Sequence, residues 1–335
     1  MSTILNWGLL STARINSSLI NPIRESESSH LVAVASRSPE KAAQYAREWN
    51  IPKSHGSYEA LLADPDIDVI YNSLPNSMHA EWTVKAAQHG KHVLCEKPLV
   101  PTLAEWEQIN NAAMENNVTI FEAFMYLHHP QTLTVLDMVR QGKIGTVQVI
   151  NSWFSFYLSP EQATNIRLNP DLAGGALLDV GVYPNSMANL MADAGAPVLI
   201  SANQMVGETG VDVNMIGQLT FSNNTVAQVV CGFRMPFRQG TTIVGSEGSI
   251  SIPEPWKPGM NGKDSVIQME LRNGTKDTLV IPAVDPYLCE VQAMEACVLR
   301  GADPVVPLSF SRQLLQSSLA QYESARTGQT IYPKP

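Results

Sequence analysis

The sequence has little positive charge. Its 335 residues include 22 lysines and arginines against 31 aspartates and glutamates, which gives a formal net charge of −9. Proteins that bind nucleic acids cluster lysine and arginine to neutralise phosphates, so this balance argues against a nucleic-acid partner. The sequence also lacks any run approaching the roughly 18 apolar residues of a membrane helix, so no membrane-spanning segment is expected.

Cysteine is scarce as well. The segment Met1-Ser2-Thr3 leads directly into an apolar run, without the basic region and cleavage site of a signal peptide. The four cysteines are scattered without the spacing of a disulfide framework or a metal site: they are Cys95, Cys231, Cys289 and Cys297. The N-terminal segment and the cysteine spacing together predict a cytoplasmic protein that holds no metal.

The length predicts two domains, because single cores rarely grow past about 250–300 residues. In the first half, helical segments alternate with apolar strand-like segments, and Ser38-Pro39-Glu40 has the cap, proline and acidic first turn of a helix start. This alternation predicts an α/β fold with a doubly wound parallel sheet, a Rossmann domain. The predicted strands are residues 4–10, 31–35, 67–71, 92–95 and 118–121.

Beyond about residue 122 the pattern changes to that of an α+β domain. The turn residues Ser222-Asn223-Asn224 and Asn273-Gly274 predict antiparallel hairpins, and helices are expected at 286–299 and 309–326. We therefore expect domains at 1–122 and 123–335, the second with a large, mostly antiparallel open sheet. Its predicted strands are residues 147–156, 215–221, 226–233, 266–271 and 278–281.

The loop after the first strand is a glycine-poor form of a dinucleotide-binding loop. The usual fingerprint is Gly-X-Gly-X-X-Gly, whereas only Gly8 stands in the right place here. Small side chains at Ser11 and Ala13 still let backbone N–H groups approach a pyrophosphate, which a helix N-terminus favours. A plain strand-turn-helix without a ligand is the alternative from the loop alone. The candidate cofactor-binding residues are Gly8, Ser11, Thr12, Ala13, Arg14 and Ile15.

The end of the second strand lacks an acidic residue. A site specific for NAD places Asp or Glu about 20 residues beyond the glycine loop to hold the ribose 2′-hydroxyl. This chain has Ser36-Arg37-Ser38 instead. Arg37 can stack on adenine and neutralise a 2′-phosphate, with the serines as hydrogen-bond donors. The segment favours NADP(H), with NAD(H) possible, although Ser38 is also explained as a helix cap.

Five motifs in order resemble the glucose–fructose oxidoreductase / inositol dehydrogenase (Gfo/Idh/MocA) family over nearly the whole chain. The resemblance is strongest to the branch of aldose dehydrogenases and dihydrodiol dehydrogenases. It implies a Rossmann domain followed by an α+β domain, and a homo-oligomer, a dimer or tetramer, formed through the large sheet. The motifs are the loop at Ser11, Leu74-Pro75-Asn76-Ser77-Met78-His79, Glu96-Lys97-Pro98, Glu122-Ala123-Phe124-Met125-Tyr126, and the run from Gly174-Gly175 to Tyr183.

The resemblance also implies roles for particular residues. Lys97 corresponds to the lysine that contacts the nicotinamide region and the substrate, Tyr183 to the acid/base, and Asp179 to the aspartate that binds substrate or orients the catalytic pair. Further cofactor contacts are implied for Leu74, Pro75, Asn76, His79 and Glu96, and substrate contacts for Tyr126 and Arg167.

The chemistry of alcohol oxidation suits this set. Hydride moves to the nicotinamide and a proton moves to a base, and an isolated tyrosine with a pKa near 10 is a poor base at neutral pH. A neighbouring ammonium such as Lys97 favours the phenolate and also stabilises alkoxide character. The spacing of Asp179 and Tyr183 places both on one helical face, and Pro184 predicts a kink or irregular turn at Tyr183.

We therefore expect an NADP(H)-dependent oxidoreductase that acts on a sugar or related polyol, as an aldose 1-dehydrogenase or a ketosugar reductase. A trans-dihydrodiol dehydrogenase is an alternative of the same class. Two further alternatives are an NAD-dependent glycosidase and a non-enzymatic nucleotide-sensing regulator. The regulator is disfavoured because Lys97, Asp179 and Tyr183 are all present.

Overall fold

A computed structural model describes residues 4–162 and 164–333, and it divides the chain into two compact units. The first unit contains the residues up to His128 together with Asp285–Leu308. The second contains His129–Val284 together with the residues from Ser309 onward. The segment Met1-Ser2-Thr3, on which the expectation of no signal peptide rests, lies outside the described residues.

The first unit is built on a six-stranded parallel sheet with the order β3-β2-β1-β4-β5-β6. This is the order of a Rossmann fold, so the predicted doubly wound sheet is confirmed. All strands run the same way, and their carboxyl ends therefore meet at one edge. The strands are β1 (Leu5–Leu9), β2 (Ser29–Ala35), β3 (Lys53–His55), β4 (Val69–Asn72), β5 (His92–Glu96) and β6 (Ile120–Ala123).

Helices connect these strands, and side-chain caps fix where several of them begin. Ser38 Oγ, Ser57 Oγ and Thr102 Oγ1 each accept a hydrogen bond from a backbone N–H in the first turn of the helix that follows. A fixed helix start limits the length of the loop before it. The helices are α1 (Ser17–Glu25), α2 (Pro39–Glu48), α3 (Tyr58–Leu62), α4 (His79–Gln88) and α5 (Leu103–Asn116).

The second unit is built on an eight-stranded sheet with the order β14-β13-β12-β11-β7-β10-β9-β8. Every neighbouring pair is antiparallel except β7 and β10, so the predicted mostly antiparallel sheet is confirmed. The strands are β7 (Val147–Tyr157), β8 (Leu199–Val206), β9 (Asp212–Thr220), β10 (Val226–Gly232), β11 (Arg234–Gly245), β12 (Gly248–Ile252), β13 (Ser265–Leu271) and β14 (Lys276–Ile281).

Helices cover one face of this sheet: α6 (Pro130–Arg140), α7 (Val182–Ala192) and α9 (Leu308–Thr327). Ser324 of α9 accepts a hydrogen bond from the backbone of Ala202 in β8, and Gln321 donates to Asn185 of α7. The opposite face of the sheet carries exposed apolar side chains such as Val149 and Ile216. The sheet therefore has one covered face and one open face.

The helix α8 (Pro286–Arg300) packs into the first unit, although it follows the last strand of the second. Glu295 of α8 accepts hydrogen bonds from Ser26 and Ser29, and Ser29 in turn accepts one from Trp7 of β1. The expected division assigned residues 286–299 to the second domain. The structure differs because these buried hydrogen bonds, formed over a large sequence separation, attach α8 to β1, β2 and the end of α1.

Several elements have no counterpart in the sequence prediction. These are β3, β8, α6 and the pair β11 and β12. Strand β3 has only three residues, and β11 contains two glycines, a proline and a shift of register, so neither has a clear apolar alternation. The described residues include no helix with the length and hydropathy that a bilayer crossing requires.

The buried side chain of His128 in the first unit makes no hydrogen bond to the described residues that would compensate for its burial. His128 stacks on Phe121 with ring centroids 5.8 Å apart, and neither of its ring nitrogens has a hydrogen-bond partner among the described residues. Burial lowers the pKa of His128 to about 4. The folded protein therefore resists protonation of this ring over a pH range in which the unfolded chain takes up the proton.

We predict that His128→Met stabilises the protein in acid. Because the folded-state pKa is depressed, the wild-type protein loses stability as pH falls from the unfolded-state pKa toward the folded-state value, by about 2 kcal/mol at about pH 5. The variant lacks this loss, so its advantage in free energy of unfolding should be larger at pH 5 than at neutral pH. Urea denaturation at both pH values measures the difference.

The exposed His30 of β2 provides the control, since His30→Met removes a histidine without a buried ring. If His128→Met raised the free energy of unfolding by the same amount at both pH values, the depressed pKa of His128 would not be the cause of the loss of stability in acid.

Candidate active site

Side-chain hydrogen bonds hold the loop after β1. The Ser11 hydroxyl lies 2.7 Å from Ser73 Oγ, and Ser73 donates to Asn16 Oδ1 at 2.6 Å. Asn16 Nδ2 donates back to the carbonyl of Ser11 at 2.8 Å, and Ala13 N donates to Ser11 Oγ at 3.0 Å. The network joins the loops after β1 and β4. The sequence analysis did not identify Asn16 and Ser73, because the only indication of their role is a polar side chain beside a strand end.

Gly8 has a packing role that the fingerprint did not reveal. A Cβ at Gly8 would lie 3.0 Å from Ile67 Cδ1 and 3.1 Å from Leu61 Cδ1, so a larger residue would displace the core beside β1. In the loop that follows, Thr12, Ala13 and Ile15 are half-buried and Arg14 is exposed. Arg14 begins a short 3₁₀ turn that leads into α1. The small side chains and the helix start fit a pyrophosphate.

The segment after β2 presents an exposed arginine. Arg37 lies beside the phenol of Tyr58, where burial raises the pKa of Tyr58 and the guanidinium partly offsets the shift. Ser38 Oγ donates to Glu40 and accepts from the backbone of Lys41, so its hydroxyl serves the start of α2. Ser36 Oγ accepts from the Ser38 backbone at 3.3 Å. The exposed guanidinium of Arg37 is the group that fits a 2′-phosphate.

His79 is a buried link between loops. It has no exposed surface, and its ring nitrogens lie 2.8 Å from the carbonyl of Pro98 and 2.7 Å from that of Leu74. Burial lowers the pKa of His79, and the carbonyls oppose that shift. A ring enclosed in this way has no surface for a nucleotide, which corrects the expected ribose contact. Pro75 and Asn76, at the same strand end, are half-buried and remain candidates.

Glu96-Lys97-Pro98 lies at the carboxyl end of β5. Tyr71 donates a hydrogen bond to Glu96, and the Lys97–Pro98 peptide bond is cis. The backbone N–H of Leu99 donates to Glu122 Oε1 of β6 at 2.9 Å. Together with the His79 link, these bonds connect the loops after β4 and β5 to each other and to β6, and Lys97 is half-buried on this edge.

In the second unit, a buried carboxyl group holds the turn that carries Asp179. Asp212 accepts hydrogen bonds from Leu177 N at 2.7 Å and from the Tyr322 hydroxyl at 2.8 Å. Gly175 has a φ of 125°, and a Cβ there would lie 2.2 Å from Asp212 Oδ1, so the close approach requires glycine. Burial raises the pKa of Asp212.

The irregular turn lies earlier than Pro184 predicts. A π-helical turn spans Leu177–Gly181, and Tyr183 stands in the first turn of α7 together with Pro184. The helical backbone runs on from the π-helical turn into α7, so Pro184 lacks an N–H for the ladder, and the distorted turn before it accommodates the proline. Asp179 and Tyr183 therefore lie on consecutive turns of one helical segment, with the distortion at Asp179.

Asp179 and Tyr183 have distinct surroundings. Arg167 Nε donates to Asp179 Oδ2 at 2.7 Å, so the structure brings together two residues that the sequence placed in the site separately. The ring of Tyr183 packs edge-on against Phe154 at 5.4 Å and tilted against Trp256 at 5.7 Å. An ion pair thus stands one helical turn from a phenol in an aromatic cluster.

Tyr126 belongs to the first unit. Its side chain is fully buried, with its ring edge-on to Phe124 at 6.3 Å. A side chain without exposed surface does not contact a substrate, which corrects the expectation for Tyr126. The sequence motif identified a core residue here.

Comparisons of the sequence identify the family. Residues 5–124 match an oxidoreductase family with an NAD-binding Rossmann fold, Gfo/Idh/MocA, and residues 132–251 match the C-terminal domain of the same family. The chain belongs to the Gfo/Idh/MocA oxidoreductase family. The resemblance inferred from the five motifs is therefore confirmed.

Relatives of this Gfo/Idh/MocA protein include enzymes of two substrate types. It is 36% identical over 329 residues to D-xylose 1-dehydrogenase (NADP(+)) 2 of Haloferax volcanii, covering 97% of this chain and 98% of that relative. It is 31% identical over 323 residues to the trans-1,2-dihydrobenzene-1,2-diol dehydrogenase of Xenopus laevis, covering 92% and 94% of the two chains.

A solved structure of similar fold comes from Actinomadura kijaniata. It is a 3-ketoreductase in complex with NADP and TDP-benzene, with a TM-score of 0.87, 28% sequence identity and coverage of 96% of this chain and 98% of that one. The likeness extends over both units of the Gfo/Idh/MocA chain.

Proposed function

We propose that this protein is an NADP(H)-dependent oxidoreductase that transfers hydride between the nicotinamide and a hydroxyl or carbonyl group of a sugar or related polyol. The proposal depends mainly on the position of Lys97. This residue follows β5 at its carboxyl end, on the sheet edge where the loops after β1, β2 and β4 also lie. Ligands of open α/β sheets bind at this edge. The D-xylose 1-dehydrogenase (NADP(+)) relative and the 3-ketoreductase bound to NADP support the cofactor and the substrate class.

The cofactor would be held by residues of the first unit. The loop from Ser11 to Ile15 would hold the pyrophosphate, Arg37 the 2′-phosphate, and Asn76 and Glu96 the nicotinamide ribose. When bound, NADP(H) supplies or accepts the hydride. The hydrogen bonds among Ser11, Ser73 and Asn16 keep the loop in one conformation before binding, which reduces the entropy lost on binding.

The chain's own residues would manage the proton and the developing charge. Tyr183 exchanges the proton of the substrate hydroxyl, and the ammonium of Lys97 stabilises negative charge on the substrate oxygen. Asp179 accepts a hydrogen bond from a substrate hydroxyl. Its ion pair with Arg167 orients the carboxylate for that bond.

The aromatic cluster around Tyr183 is compatible with both substrate types. Phe154 contacts Tyr183, Trp256 and the exposed ring of Phe237, which is 66% exposed. Such rings can pack against the apolar face of a sugar or against an aromatic diol. A trans-dihydrodiol dehydrogenase is therefore the second candidate, and a panel of aldoses, ketosugars and trans-diols with NADP⁺ and NAD⁺ distinguishes the two.

We also propose a cytoplasmic homo-oligomer. Ile216, Val230 and Trp153 are paired in register across β9, β10 and β7 and form an apolar row on the open face of the sheet. Exposed apolar patches on a sheet are typical of interfaces, so this row supports the homo-oligomer.

The cysteines support the cytoplasmic location. All four are free thiols, as is common in a reducing compartment.

Replacing Lys97 tests the mechanism. We expect Lys97→Met to reduce turnover by at least about 100-fold, because it removes the cation that stabilises charge at the reacting oxygen, while NADP⁺ binding is largely retained. Steady-state kinetics and NADP⁺ titration calorimetry measure the two effects. Lys85→Met, at a partly exposed position of α4, is the matched control, and unchanged turnover in Lys97→Met would overturn the mechanism.

Replacing Arg37 tests the cofactor. We expect Arg37→Met to raise the KM for NADP⁺ by about 10- to 100-fold, because a charge-assisted hydrogen bond to the 2′-phosphate is lost, with little change in the KM for NAD⁺. Arg47→Met, on the exposed surface of α2, removes the same charge elsewhere in the unit. Activity of the wild-type protein with NAD⁺ alone would refute the assignment.

Replacing Ile216 tests the oligomer. We expect Ile216→Arg to convert the wild-type assembly to monomers, because it places a charge in the centre of the apolar row. Analytical ultracentrifugation gives the mass of each protein. Met114→Arg, which alters an exposed apolar residue of α5, should leave the assembly intact. A monomeric wild-type protein would refute the proposed oligomer.

A further inference from the structure

The helical segment that carries Asp179 and Tyr183 begins without a capping side chain of its own. Its π-helical turn, Leu177–Gly181, runs directly into α7, and Ala176 before the turn has no side-chain oxygen to accept a hydrogen bond. The first N–H groups of a helix have no partner within it, so they need an acceptor from elsewhere. A π-helical turn is also rare and occurs mostly as a single turn within a longer helix. The start of this segment therefore requires support from another element.

Asp212, the first residue of β9, supplies this support. It is 4% exposed, and its Oδ2 atom accepts a hydrogen bond from Leu177 N at 2.7 Å. Its Oδ1 atom accepts one from the Tyr322 hydroxyl of α9 at 2.8 Å. Both oxygens of the carboxyl group thus act as acceptors, and the dipole of a helix favours an acidic group at its start. Asp212 is therefore a cap that comes from a distant part of the chain.

The same turn also holds the partner of Asp179. Gly175 N donates to the carbonyl of Arg167 at 2.9 Å, and the carbonyl of Gly175 accepts from Asp179 N at 3.1 Å. Gly175 lies so close to Asp212 that a larger residue does not fit. Arg167 Nε in turn donates to the Asp179 carboxylate. A displacement of the turn would therefore move both partners of the ion pair and redirect the carboxylate.

We propose that Asp212 is a positioning residue for the reaction, which orients Asp179 and Tyr183 toward the substrate by capping the helical segment that carries them. Tyr322 assists by holding the carboxyl group. The proposal rests on the proposed function, in which Asp179 binds a substrate hydroxyl and Tyr183 exchanges its proton. A misplacement of about 1 Å can lower a rate by about 100-fold. Because Asp212 is buried, it acts through the turn and not by contact with the substrate.

Two substitutions of Asp212 test the proposal. Asp212→Ala removes the acceptor, and we expect kcat for the best substrate of the sugar and diol panel to fall about 100-fold. Asp212→Asn keeps an oxygen for Leu177 N, so it should retain kcat within about tenfold of the wild-type value. Steady-state kinetics measures kcat. The dissociation constant of NADP⁺, measured by calorimetry, should be unchanged in both variants, because the cofactor residues belong to the first unit. Unchanged kcat in Asp212→Ala would overturn the proposal.

Tyr322→Phe is a milder test, which decides the question if Asp212→Ala does not fold. It removes one hydrogen bond to Asp212, so kcat should fall about tenfold. Ser324→Ala is the matched control, because it removes another buried hydroxyl of α9, which accepts from Ala202 N and donates to the carbonyl of Gln329. Both variants should lower the free energy of unfolding, but only Tyr322→Phe should lower kcat. Equal losses of kcat would show that the role is only structural.

A double-mutant cycle tests whether Tyr322 acts through Asp212. In the Asp212→Ala background the acceptor is gone, so Tyr322→Phe should change kcat by less than about twofold. If the two single effects multiply fully in the double variant, the hydroxyl acts by another route and the shared cap is refuted.

A second measurement does not depend on substrate or cofactor. In the protein without ligands, the hydrogen bond to Asp212 protects the Leu177 N–H from exchange with solvent. Asp212→Ala should therefore speed the exchange of this amide hydrogen by about 10- to 100-fold. Tyr322→Phe should speed it to a smaller extent, and Ser324→Ala should leave it unchanged. Hydrogen exchange followed by NMR measures the rates, and an unchanged rate in Asp212→Ala would contradict the proposed cap.

The two measurements also separate this proposal from the proposed function. A wild-type protein that turns over none of the sugars and diols would refute the proposed function, while amide exchange would still decide whether Asp212 holds the turn. Faster exchange with unchanged kcat in Asp212→Ala would refute only the positioning role.

Discussion

The common direction of the parallel strands is the constraint on which the rest of the first unit depends. It brings the loops after β1, β2, β4 and β5 to one edge of the sheet, where their buried polar groups must be satisfied. Ser11, Ser73 and Asn16 satisfy one another, and His79 lies between the carbonyl groups of two loops. Hydrogen bonds are stronger in such low-dielectric surroundings, so side chains can hold a loop that has only one glycine of the fingerprint.

The second unit solves a similar problem with one carboxyl group. Asp212 binds the backbone of the turn that carries Asp179, and Tyr322 of α9 secures Asp212. The glycine at position 175 allows the carboxyl group to approach the backbone closely. In both units, the residues assigned to chemistry are therefore held by buried partners that do not themselves take part in the reaction.

Predictions from the sequence succeeded where the signal was local and periodic. Five of the six strands of the first sheet, the two hairpins of the second and the long helices near the C-terminus follow from apolar spacing and turn residues. Prediction failed for short or glycine-containing strands such as β3 and β11, whose pairing depends on their neighbours. The sequence analysis also assigned ligand contacts to His79 and Tyr126, which are fully buried. A sequence motif does not show whether a residue is exposed.

The sequence by itself determined the fold class, the family, and the candidate edge residues such as Arg37 and Lys97, because these depend on short-range patterns. The tertiary structure alone decided that α8 joins the first unit, where Ser29 and Glu295 meet across 266 positions. It also decided that Asp212 is buried beneath the turn that carries Asp179. Burial arises only when distant segments pack together, and it raises the pKa of this carboxyl group.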